Sequence, residues 1–231
     1  MRGERKKITL IVLGILIFQI LYYQLTLYLI NVIMADMPYV FEYFGLMIHH
    51  TIQFAFVFIP TVLLHRARKI DFGYQIKDLK KGTKYLWYIC AFSLLVSLMQ
   101  ALKGAHMIPS TDYIIFQLCF SGLGEEIVYR AIPIALLCKA SAKETRIHLY
   151  GKINIDYSVL ISALFFSIAH ISFQFGSTNI TYSWVQLLYS FSVGLILGHA
   201  YKKVNSIWYC MFLHGLCNVV AIIFPLIFSV I

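Results

Sequence analysis

The chain has 231 residues, 60% of them hydrophobic and 13% charged, with a mean hydropathy of +0.78 and a formal net charge of +9. Soluble domains run nearer to roughly 45–50% apolar and 25% charged, so this composition excludes an ordinary soluble protein and indicates an integral membrane protein. At about 20 residues per span plus short loops, the length holds one all-α bundle of about seven helices, with no room for a separate soluble domain.

In chain order, the apolar runs predict spans at Ile8 to Met34, Phe44 to Leu64, Lys84 to Leu102, Tyr113 to Leu137, Val159 to Phe175, Tyr182 to Ala200 and Ile207 to Phe224. An eighth, short segment is the alternative reading of the tail Pro225 to Ile231. The first run follows the basic stretch MRGERKK like a signal peptide. It is too long for a signal h-region and lacks a small-residue cleavage site, so it reads as a retained helix. Pro60 and Pro133 are expected to bend their helices, and Gly194 and Gly198 form a GxxxG that reads as a close helix contact. His49 and His50 are neighbours about 100° apart on the second span and cannot both face one partner, so they read as packing or cavity lining.

With the N-terminus inside, the basic residues collect on one side. They are Arg2, Arg5, Lys6 and Lys7; Arg66, Arg68, Lys69, Lys77, Lys80, Lys81 and Lys84; Lys139, Lys143, Arg146 and Lys152; and Lys202 and Lys203. Of the 19 Lys and Arg only Lys103, on the far side, and Arg130, within a span, are left over. The positive-inside rule therefore accounts for the basicity, places the N-terminus in the cytosol, most simply at the cell membrane, and makes a nucleic-acid partner unnecessary. The five cysteines are scattered in or beside apolar runs without CxxC spacing, which argues against a disulfide framework or a thiolate metal site. The sequon Asn179-Ile180-Thr181 reads as a polar turn in an outer loop.

Of the ten acidic residues only Glu125 and Glu126 lie deep. On a helix Glu126 and Arg130 share a face while Glu125 points about 100° away, so one carboxylate has a cation and the other does not. A buried Glu126–Arg130 pair is explained equally well as structural. Glu125, uncompensated among apolar neighbours, has the makings of a general acid or base. His170 on the fifth span, and His214 and Asn218 four apart on the seventh, lie at similar depth. Two polar heads at that spacing aim at one point, as two donors to an oxyanion must. Gly122 and Gly124 leave room for a neighbouring backbone or an extended substrate. Glu125, His170 and His214 also make up the two His and one carboxylate of a zinc site. HExxH is absent and Asn218 suits a donor role, so no cofactor is assigned, and zinc stays open as the rival.

EEIVYR fits EExxxR, FSIAH fits FxxxH and HGLCN fits HxxxN. In this order on three spans, these motifs resemble the CPBP (Abi) family of intramembrane glutamate proteases, which includes the type II CAAX prenyl endopeptidases. The resemblance covers Ser121 to Asn218. It implies a helical bundle with a membrane-embedded polar cavity in which Glu125 and His170 activate water and His214 and Asn218 form the oxyanion hole. Glu126 and Arg130 match the remaining motif positions, and a supporting ion pair is the role assigned to them. No Ser–His–acid pattern competes, and intramembrane aspartyl chemistry lacks its deep aspartates.

The expectation is a single membrane domain over residues 1–231 with its motif-bearing core at about 113–224. It acts as a metal-independent endopeptidase on a hydrophobic, lipidated (CAAX-like) or membrane-associated peptide. The alternative is a non-proteolytic membrane regulator or bacteriocin-immunity protein binding a peptide or membrane partner. Membrane lipids are the other expected contact. Neither the substrate nor the oligomeric state is legible.

Overall fold

The computed structural model describes all residues except 1, 37, 68, 77, 103–107, 141–145, 151–152, 174–178 and 230–231. The basic residues Arg68, Lys77, Lys103, Lys143 and Lys152, and the expected end of the fifth span at Phe175, lie outside the described residues. Helix α1 (Arg2–Met34) is followed by α2 (Pro38–Arg66), a short 3-10 turn (Leu79–Gly82) and α3 (Thr83–Leu102). Then come α4 (Thr111–Cys119), α5 (Ser121–Glu126), a π-helical turn (Ile127–Ala131) and α6 (Ile132–Ala140). A hairpin of β1 (Arg146–Tyr150) and β2 (Ile153–Asp156) leads into α7 (Tyr157–Ile168), α8 (Trp184–Val204) and α9 (Ile207–Ser229). The architecture is an α-helical membrane bundle. Helix α7 packs along α8, α3 along α9, and α2 against α5, while α1 covers α2 and α6.

The sidedness of α1 shows how such a bundle is built. Leu10, Leu13, Ile17, Leu21 and Leu25 are exposed along one face, while Gln19 and Thr26 are buried with Ile15, Tyr22 and Ile30 on the other. Lipid accepts the apolar face, and the polar groups are held inside. The Gln19 amide donates to the Val128 carbonyl (3.1 Å), the Tyr22 hydroxyl to the Gln53 carbonyl (2.9 Å) and the Gln53 amide to the Thr26 hydroxyl (3.3 Å).

Among the described residues, four helical stretches are long and apolar enough to cross a membrane: Lys6–Met34, Phe44–Arg66, Leu79–Leu102 and Ile207–Pro225. The other three expected spans take different forms. Tyr113 to Leu137 becomes the broken succession from α4 to α6. The fifth stops at Ile168, so α7 has 12 residues and a length of roughly 18 Å, short of the bilayer core. The sixth is α8, which runs on to Val204. The tail opens no separate helix within the described residues, because α9 continues through Pro225 to Ser229. The hairpin was not anticipated. Its strands pair Arg146 with Asp156 and Ile147 with Ile155, with an irregularity between His148 and Tyr150.

The break in the fourth membrane segment follows from Pro133, which has no N–H. The carbonyls that a residue 133 amide would serve from four or five positions on, Tyr129 and Val128, accept instead from the Ser162 hydroxyl (2.5 Å) and the Gln19 amide. The helix passes through a π turn just before the proline. The GxxxG serves packing within the chain: a Cβ on Gly194 would lie 3.0 Å from the Ala163 Cα, and one on Gly198 2.9 Å from a Val159 methyl.

Candidate functional site

Glu125 and Glu126 sit at the end of α5, where the helix enters the π turn. Backbone approaches this segment from both sides. A Cβ on Gly122 would lie 3.2 Å from the Met211 carbonyl oxygen of α9, and one on Gly124 3.0 Å from the Phe54 amide of α2. The two glycines are therefore explained by helix–helix contact, and need no substrate.

The two carboxylates have different surroundings. The Glu126 side chain is completely buried, with its Oε1 2.7 Å from His214 Nδ1 and 3.3 Å from an equally buried Arg130 Nη1. The longer contact is an ion pair without hydrogen-bond alignment, and the Arg130 guanidinium also lies 3.8 Å over the Phe166 ring. Glu125 keeps 28% of its side chain exposed, and its Oε2 lies 3.9 Å from His214 Nε2. Arg130 therefore shares Glu126 with a histidine, a partner that one-helix spacing did not reveal.

His170 is not inside a span but in the turn after α7. Its backbone amide donates to the Ser167 carbonyl (3.0 Å), and its ring Nδ1 lies 2.8 Å from the Phe166 carbonyl. The ring thus caps a carbonyl at the helix end that would otherwise lose its partner. A carbonyl can only accept, so Nδ1 carries a proton, and in the neutral ring the lone pair is on Nε2. The FxxxH spacing is the spacing of this cap.

A cavity of about 570 Å³ collects the expected polar residues: Glu125, His170, His214 and Asn218 all line it, together with His50, Gln117, Ser121, Phe166 and Tyr189. Glu126 and Arg130 lie buried behind it. Asn218 is already engaged, its amide nitrogen donating to Gln117 Oε1 (2.8 Å) and Ser121 Oγ (3.1 Å). Among the described residues no three His, Cys, Asp or Glu side chains are grouped so as to share a metal ion.

Gln117 and Ser121 are lining residues that escaped the sequence reading. Gln117, Ser121 and Glu125 recur every four residues and form one polar face, a signal that was present but diluted by the apolar residues between them. His50 lines the cavity with a buried, unpartnered Nδ1, whereas His49 stacks edge-on against it with ring centroids 5.7 Å apart.

No curated protein and no solved structure matches the chain. The family described as type II CAAX prenyl endopeptidase Rce1-like matches residues 108–220, a stretch that contains α4 to α8, most of α9 and every motif residue. This match, over just under half of the chain, supports a CAAX-type intramembrane endopeptidase at the level of the family.

Proposed function

We propose that the chain hydrolyses a peptide bond of a hydrophobic, lipidated or membrane-associated peptide, with water activated by Glu125 and His170. The observation that carries this reading is the convergence of Glu125, His170, His214 and Asn218 on one cavity, with the Glu126–Arg130 pair sealed behind them. Glu125 takes a proton from water as its oxygen attacks the scissile carbonyl carbon, and His170 Nε2 accepts that water's second hydrogen bond. The carbonyl oxygen becomes an oxyanion held by N–H groups of His214 and Asn218. As the C–N bond breaks, the proton passes from Glu125 to the departing amine.

Two requirements follow from the geometry. His214 Nδ1 faces a carboxylate and donates to it, so the ring donates from Nε2 as well only when doubly protonated. Its positive charge then balances Glu125, as Arg130 balances Glu126. Asn218 has both amide protons committed, so the contact to Gln117 or to Ser121 opens when the oxyanion forms.

The deciding experiment is single-turnover cleavage by Glu125→Gln against wild type at matched membrane abundance. The expected fall in rate is about 10²–10⁴-fold with substrate binding retained. Undiminished biological activity in this isosteric variant would sink the hydrolase and leave a binding protein. Exhaustive chelation leaves cleavage intact on this reading. Loss restored specifically by zinc would recast the two histidines as ligands.

A further inference from the structure

Helices α4 and α5 pack against α9 and hold Asn218 through two acceptors of unequal freedom. Ser121 Oγ is fixed to its own helix, with its proton donated to the Gln117 carbonyl (2.7 Å), and the residue is only 5% exposed. It accepts one bond from the Asn218 amide nitrogen at 3.1 Å. Gln117 Oε1 accepts the other at 2.8 Å, from the end of a long side chain that is partly exposed in the cavity wall. Of the two acceptors, Gln117 is the one that an entering molecule can take over, because its side chain can turn to meet a new donor.

Opening a hydrogen bond in such a site without replacing it leaves an acceptor unsatisfied, which costs more than the bond itself contributed. An extended peptide supplies the replacement. Each residue of an extended strand presents its own N–H and C=O on the same edge. When the carbonyl of one residue turns towards Asn218, the N–H of that same residue turns towards the acceptor beside it, Gln117 Oε1. The substrate N–H then occupies Gln117, and the Asn218 proton it displaces goes to the oxyanion. No acceptor is stranded by the exchange.

From this geometry we infer that Gln117 is a substrate-binding residue, whose Oε1 accepts the backbone N–H of the residue whose carbonyl is attacked and thereby releases Asn218 to the oxyanion. The group it takes is a main-chain amide. The cavity thus reads the extended backbone beside the cleaved bond, and it rejects a residue without that N–H, such as proline, at this position. This assignment rests on the hydrolase reading above.

The test uses the full-length protein and a set of apolar nonapeptides, made with and without an S-farnesyl cysteine, whose cleaved bonds are located by mass spectrometry. Each cleaved peptide is remade with a methyl on the nitrogen of the residue that supplies the cleaved carbonyl and, as a control, on the nitrogen before it, which faces the other edge. Single-turnover cleavage by wild type is expected to fall about tenfold for the first methylation, the loss of one hydrogen bond, and Gln117→Leu to lose that discrimination. Gln117→Glu keeps an acceptor in place and keeps the penalty. Gln117→Met, which has the length but not the acceptor, replaces Gln117→Leu if thermal unfolding shows that the leucine variant does not fold. An equal penalty in all variants, no penalty in wild type, or loss of all cleavage in a folded Gln117→Leu overturns the inference and leaves the hydrolase reading standing, because wild type still cleaves the parent peptides. If wild type cleaves none of the set, or Glu125→Gln cleaves it equally well, the hydrolase reading fails and the inference falls with it.

Discussion

Arg130 is the residue whose environment is least forgiving. None of its side-chain nitrogens has an aligned hydrogen bond, its side chain is wholly buried, and its charge is met by Glu126 and the face of Phe166. Removing the carboxylate strands that cation, at a cost of about 3–5 kcal/mol. Glu126→Gln is therefore expected to lower thermal stability in detergent sharply, and Arg130→Met to do so by a similar mechanism in reverse. The double variant recovers part of the loss, because the unpaired charge is gone. Additive losses in the double variant would mean that the two residues act separately. Because Glu126 also holds His214, the double variant stays impaired in cleavage even where stability returns, which separates positioning from folding.

At the scale of elements, the junction between α5 and α6 depends on side chains from other helices. Ser162 on α7 supplies a hydrogen bond to the Tyr129 carbonyl, which has no proline amide to meet it. Ser162→Ala leaves that buried acceptor unsatisfied and is expected to cost about 1–3 kcal/mol. Pro133→Ala restores a backbone N–H four residues on, so it rescues Ser162→Ala more than it changes the wild type. Thermal unfolding of the two single variants and the double variant measures this coupling, and a coupling of zero would remove Ser162 from the account. The same junction carries both glutamates, so a regular helix there would aim them differently at α9.

For the whole molecule, the hairpin and the last turn of α8 are tied together on the basic side. Asp156 caps α7 through the Ser158 amide (2.9 Å) and pairs with the Lys202 ammonium. Partial burial works against its carboxylate, but Lys202 and Ser158 outweigh it and hold the pKa below the usual 3.8. A depressed carboxylate pKa stabilises the fold above its unfolded value, and that stability is lost as pH falls through the folded value. Asp156→Asn keeps the cap and removes the charge, so its deficit against wild type is expected to be small, about 1 kcal/mol for a partly buried pair at the edge of the bundle. Plotted against pH, that deficit is flat at neutral pH and closes only below about pH 4. A deficit that persisted unchanged under acid would locate the effect in packing.

Composition and the clustering of basic loops determined the membrane class and the helical architecture, because hydrocarbon admits few other ways of satisfying a backbone. Order and spacing along the chain also singled out Glu125, His170, His214 and Asn218 as candidates, since polar groups in apolar runs are rare enough to stand out, and all four line one cavity. What spacing could not supply was partnership between helices. His214 shares Glu126 with Arg130, Asn218 is held by Gln117 and Ser121, and His170 caps the end of a helix expected to continue. Helical periodicity relates residues three or four apart, whereas these contacts join positions about a hundred residues apart or depend on where a helix stops. The gathering of these polar groups around one cavity was decided in the same way, by the packing of whole helices.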